Sequence, residues 1–140
     1  MGRAINWLAS FGSCLIVTAA AAQETLTYDV VFNDTILAER TDGFTLGDRF
    51  ILNDVLRRLG EDVGRVSGVC TITDIQGVAL CAMTFELPDG AIAGQFINTP
   101  PPEKTFAITG GTGVYLGRTG YGVLVEAGDG TGTVTFHFID

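Results

Sequence analysis

Apolar and polar residues alternate with a period of two along most of the chain, and Gly, Asp, Asn and Pro interrupt the alternation. Leu26, Tyr28, Val30 and Phe32 alternate with Thr27, Asp29 and Val31. Phe50, Leu52, Asp54 and Leu56 alternate with Arg49, Ile51, Asn53 and Val55. Segments 66–73 and 78–87 follow, on either side of Asp74-Ile75-Gln76-Gly77, and 91–98 comes after the Pro88-Asp89-Gly90 turn. Beyond Pro100-Pro101-Pro102 lie 105–109, 121–126 and 133–139. The pattern predicts eight short strands, and the brevity of most turns makes neighbours antiparallel. Past residue 22 no stretch sustains a helical period, and the one rival, 53–59, is too short to form a stable helix. Eight strands close into a small barrel whose inside is just filled or holds one small ligand. The expected fold is therefore all-β, an eight-stranded antiparallel β-barrel, with a two-sheet sandwich as the alternative. Residues 33–47 are the least regular piece and suit either a lid or an extra strand.

The first 22 residues read differently. One positive charge, Arg3, precedes a run free of ionised side chains that ends in Ala20-Ala21-Ala22, the grammar of a secretory signal peptide. A retained membrane anchor is the rival, but Asn6, Ser10, Gly12, Ser13 and Thr18 dilute the run. Cys14 does not read as a lipidation site, because Leu15-Ile16-Val17 continue the apolar run beyond it. The expected organisation is a signal peptide over 1–22 and one domain over 23–140, secreted or periplasmic. Removing Arg3 from the 8 basic residues leaves 7 against 16 acidic ones, a formal charge of −9. Such a surface repels nucleic acid and anionic lipid, so neither is an expected partner once the leader is cleaved.

Residues 106–122, FAITGGTGVYLGRTGYG, hold six glycines. A dinucleotide fingerprint needs G-x-G-x-x-G between a strand and a helix. Gly111 and Gly113 supply the first half, but Leu116 falls at the third position and a strand-like segment follows. There is no Gly-Lys-Ser/Thr for a P-loop either. Glycine at this density suits a strand that kinks at a barrel corner and reverses. The segment Ile108-Thr109-Gly110-Gly111-Thr112-Gly113-x-Tyr115-x-Gly117 resembles the glycine-rich signature of the allene oxide cyclase and dirigent barrel superfamily. Gly47-Asp48, Asp54 and Gly68-Val69-Cys70 agree with it in order, so the resemblance spans residues 47–138. It implies an eight-stranded barrel, often trimeric, with an apolar cavity, whose cyclase members close fatty-acid epoxides and whose dirigent members steer phenoxy-radical coupling. Asn33-Asp34-Thr35 stands where the cyclases carry Gly-Ser-Pro, and Arg118 is displaced by one from the signature's arginine. Asp54 aligns with a cyclase asparagine and with an acid of the dirigent proteins.

Asp54 is the candidate catalytic residue. It shares a strand face with Phe50, Leu52 and Leu56, and an inward face would place it in an apolar cavity where desolvation raises a carboxyl pKa. The bland alternative is an outward face or a carboxylate bonded to neighbouring backbone. The expected cavity lining is Tyr28, Phe50, Leu52, Cys70, Met83 and Tyr115, although packing alone also accounts for the tyrosines. A four-residue loop at 74–77 pairs residues whose numbers sum to 151, which sets Cys70 opposite Cys81 and puts both on the apolar face. A disulfide between Cys70 and Cys81 is the expectation, and a three-residue loop would instead slip Thr71 opposite Cys81. A free Cys70 thiol in the cavity is the functional alternative that the resemblance suggests. Two cysteines without further ligands do not make a metal site. His137 lies out of phase with Phe136 and Phe138, so it points away from the core and leaves no triad base. Asp29 lies near the cyclases' acidic first-strand position, and Asn33-Asp34-Thr35 is a formal glycosylation sequon.

These readings converge on a barrel that takes a small apolar or phenolic molecule. It would guide a cyclisation or coupling without a cofactor, as an isomerase-like enzyme, and a homo-trimer is the assembly the resemblance implies. The alternative is a non-catalytic binding or scaffold barrel with its interior filled by side chains. Cavity volume separates the two.

Overall fold

The computed structural model describes residues 23–37 and 43–139. The expected leader, with Arg3 and Cys14, lies outside the described residues. Nine strands form: β1 (Glu24–Val31), β2 (Thr35–Ile36), β3 (Arg49–Arg58), β4 (Glu61–Ile72), β5 (Ala79–Leu87), β6 (Gly90–Asn98), β7 (Glu103–Gly111), β8 (Thr119–Glu126) and β9 (Thr131–Ile139). Each long strand pairs antiparallel with the next, and β1 closes the ring by pairing with both β9 and β3. The result is a closed barrel of eight long strands, not a sandwich. The two-residue β2 is the extra strand, laid on the start of β3.

Alternation places side chains as the sequence predicts. Tyr28 and Val30 of β1, Leu52, Asp54 and Leu56 of β3, and Cys70 and Ile72 of β4 are buried, while their neighbours along each strand are more exposed. Phe85, Phe106 and Phe136 meet at the centre. Phe85 stacks on Phe106 at 5.3 Å between ring centroids and meets Phe136 edge-on at 4.9 Å. The glycine-rich stretch makes room for this cluster. A Cβ on Gly122 would fall inside the Phe106 ring, and one on Gly94 would lie 2.7 Å from the same ring. Residues Gly113–Tyr115 form a single 3-10 turn rather than the helix N-terminus a nucleotide fold would require.

Strand β4 begins at Glu61, five residues before the alternation shows it. Arg58 pairs with Glu61, and the turn between them has φ of 54° at Leu59 and 83° at Gly60. A leucine in the left-handed region carries no turn signal, so this hairpin is hidden in the sequence. Of the helical rival 53–59, residues 53–58 lie within β3 and Leu59 in the turn that follows.

Candidate functional site

The site grows from an interruption in one strand pairing. Strand β1 pairs with β3 up to Val31 opposite Val55, and β2 resumes with Thr35 opposite Ile51. Partner numbers sum to 86 on both sides of the gap, so no residue is inserted. Phe32, Asn33 and Asp34 simply leave the β3 ladder. The Phe32 N–H turns to the Gly130 carbonyl at 2.9 Å, and the Asn33 N–H donates to Asp54 Oδ1 at 2.9 Å. A side-chain carboxylate thus takes the place of a ladder carbonyl.

Asp54 is 4% exposed, and burial pushes its carboxyl up to about 6. The Asn33 N–H pulls the other way, while the charge of Asp34 and a hydrogen bond between the two carboxyls add to the rise. Burial also raises Asp34, whose bond to Asp54 opposes the shift and whose neighbour Glu126 adds to it. The opposite directions of that mutual contribution mean that the proton of the pair is held more firmly on Asp54 than on Asp34. This is the behaviour expected of a general acid kept protonated into the weakly acidic range.

The carboxyl pair opens on a cavity of about 40 Å³ at one end of the barrel. At roughly 10–15 Å³ per water, that holds only a few waters. Phe50, Leu52, Cys70 and Met83, four of the expected lining residues, line it together with Asp54, Phe32, Phe85 and Phe96. Tyr28 and Tyr115, also expected there, lie elsewhere. Both are buried at the far end, where they hydrogen-bond each other and pack on Phe136 and Phe138. Burial and that shared bond push Tyr115 up to about 12. Their position follows from the chain: Tyr115 sits in the turn between β7 and β8, at the end opposite Asp34. Two larger hollows, about 480 and 360 Å³, are open grooves on the outer wall and touch neither Asp54 nor Asp34.

Cys70 and Cys81 face each other across β4 and β5 and form a disulfide, with the pairing sum of 151 kept from Arg65–Glu86 to Ile72–Ala79. The sulfur of Cys70 in the cavity wall is therefore not a free thiol. His137 is half-buried on the outer wall and stacks on Tyr121 at 4.7 Å; it pairs with Thr25 at the start of β1, whereas Asp34 follows the other end of that strand. Among the described residues no group of three or more His, Cys, Asp or Glu side chains is arranged to hold a metal ion.

Three charged residues escaped the sequence reading of the site: Asp34, Glu126 and Lys104. Asp34 and Glu126 line the cavity, and the Lys104 ammonium is buried behind it, donating to the Pro101 carbonyl and to Glu126 at 3.2 Å. A signal existed for each. Asp34 continues the inward phase of Val30 and Phe32, Glu126 that of Gly122 and Leu124, and Lys104 that of Phe106 and Ile108.

No protein-family model matches the sequence, and no curated protein matches it. Solved structures do. A pyocyanin demethylase superposes with a TM-score of 0.72 at 26% identity, covering 83% of this chain and 100% of that one. A pterocarpan synthase dirigent protein gives 0.63 at 19% identity, over 83% of this chain and 82% of its own. The Diels-Alderase AbmU from Streptomyces koyangensis gives 0.65 at 11% identity, over 86% and 71%. The closed ring of eight long strands and these superpositions agree on one fold: the chain is a closed antiparallel β-barrel similar to those of the pyocyanin demethylase, the dirigent protein and the Diels-Alderase.

Proposed function

We propose that the barrel binds a small, mostly apolar or phenolic molecule at its Asp54 end and guides a cyclisation or coupling without a cofactor. Asp54 is the proton donor of this reading. The observation that carries it is a carboxyl only 4% exposed, set in a cavity walled mainly by phenyl and aliphatic side chains, where burial raises its pKa. Fixing conformers between rigid walls lowers the entropic part of a cyclisation barrier, and a positioned acid adds to that. The barrels it superposes on include a dirigent protein and a Diels-Alderase, both named for reactions on small organic molecules. Phe32, Asp34, Asn98 and Glu126 at the mouth are all at least partly exposed, and a ligand larger than a few waters reaches Asp54 by displacing them. Export through a cleaved leader and assembly as a homo-trimer complete the proposal; the Cys70–Cys81 disulfide supports an oxidising destination.

The small cavity favours a second reading, a barrel filled by its own side chains that binds partners without catalysis. Native mass spectrometry of the purified protein against a panel of phenols and unsaturated lipids separates the two. The first reading expects a bound molecule that the wild type transforms and Asp54→Asn holds unchanged. Absence of any bound species, in the wild type and in a Phe96→Ala variant with a wider cavity, establishes the second. Equal turnover by wild type and Asp54→Asn removes the acid role.

A further inference from the structure

We propose that Asp34 is the proton-positioning partner of Asp54, so that the two carboxyls share one proton and hand it to and from the substrate as a unit. The inference rests on the reading of Asp54 as the proton donor and adds a residue to which the sequence assigns no proton-transfer role. Its basis is the gap at residues 32–34. By leaving the β3 ladder there, the chain brings the Asp34 carboxyl to the same cavity as Asp54 while the Asn33 N–H donates to Asp54 Oδ1. Among the described residues no cation faces the pair, Glu126 from β8 is the other ionisable group at the cavity, and the Lys104 ammonium is committed to Glu126 and the Pro101 carbonyl. Strands β4, β5 and β6 contribute no ionisable side chain to the cavity.

Two carboxylates this close to one another do not both ionise readily, so the resting pair carries one proton and one negative charge. The deeper Asp54 carries the proton and Asp34 accepts its hydrogen bond. When the Asp54 O–H breaks and a new bond to hydrogen forms on a substrate atom, the pair is left doubly negative. Repulsion then makes it a strong base, and it recovers a proton from the substrate atom that must lose one. The substrate leaves as an isomer, the pair again holds one proton, and nothing else is consumed.

The test is a carbon-detected NMR titration of protein labelled at the aspartate carboxyl carbons, for wild type, Asp34→Asn and Asp34→Glu. Wild type should show Asp54 titrating near 6 with a matching inflection at Asp34. Asp34→Asn, which deletes the like charge and turns an acceptor into a donor, should move the Asp54 midpoint down toward 3.8, and Asp34→Glu should keep it high. An Asp54 midpoint that stays near 6 in Asp34→Asn overturns the pairing alone, since burial would then suffice. A wild-type midpoint already near 3.8 overturns the acid role of Asp54 and the pairing with it. Asp34 is exposed in a loop, so amide spectra of both variants should confirm an unchanged fold.

Discussion

Replacing Asp54 by asparagine should stabilise the barrel at neutral pH while abolishing its acid. The side chain sits at 4% exposure, with Oδ1 taking the Asn33 N–H and the Asp34 carboxyl beside it on the cavity wall. An asparagine there mimics the protonated acid: its carbonyl oxygen accepts from Asn33 and its amide N–H donates to Asp34. An acid with a folded pKa of about 6 against 3.8 when unfolded holds its proton more tightly in the fold. The stability this adds is complete below 3.8 and is lost as pH rises through 6, because the folded state then keeps protons that the unfolded chain has released. At about 1.36 kcal/mol per pKa unit the full effect approaches about 3 kcal/mol. Water reaching the pair past the exposed Asp34 reduces it, leaving about 1–3 kcal/mol. Urea unfolding followed by circular dichroism, with the disulfide intact, measures this directly. The difference between Asp54→Asn and wild type should be near zero at about pH 4 and grow in favour of the variant by about pH 7.5, with unchanged slopes. Comparing the two proteins at each pH cancels the opposing contributions of Glu86 and Asp129, whose partners lower their pKa values. Parallel stability curves across this range would show that Asp54 is not a desolvated acid.

The Cys70–Cys81 link closes a short loop, with a sequence separation of 11, and the chain-entropy relation gives it about 3 kcal/mol. Double substitution by alanine should lower stability by about that amount in non-reducing urea melts, and a loss below about 0.5 kcal/mol would mean the hairpin is already ordered when unfolded. Gly122→Ala should cost about 1–3 kcal/mol or more, because its methyl group would intrude on the Phe106 ring; pairing it with Phe106→Leu should recover part of the loss, and strict additivity in the double variant would refute the contact.

Alternation made the barrel legible because seven of the eight long strands bury one face and leave the other wet, so each inward residue can be read by parity alone. Cys70 opposite Cys81 followed from the same parity together with a loop of fixed length. Parity does not say how far along the barrel axis a side chain lies, which is why Tyr28 and Tyr115 share the inward face with Asp54 yet meet at the other end. Nor does it identify a charge worth burying. Lys104 and Glu126 read as ordinary polar positions at strand ends until the ring closes and brings β7 and β8 together. The β3–β4 hairpin was hidden for a different reason, since Leu59 occupies a backbone region that its type rarely enters.

The acid and the gap beside it have one origin. Had β1 run on into β2, the Asn33 N–H would have been free to join a backbone ladder, and Asp54 would have had to find its donor elsewhere or turn outward. Breaking the pairing for three residues without shifting register keeps β2 in phase with β3, so the break perturbs nothing downstream. It also brings two groups to a buried carboxyl: a backbone donor for Oδ1 and a second carboxyl on the same cavity wall. The cost is borne as a destabilised ionised state, which is the same quantity that makes Asp54 a useful proton donor in the weakly acidic range. Stability and chemistry at this position therefore oppose each other, and a substitution that relieves the first should remove the second.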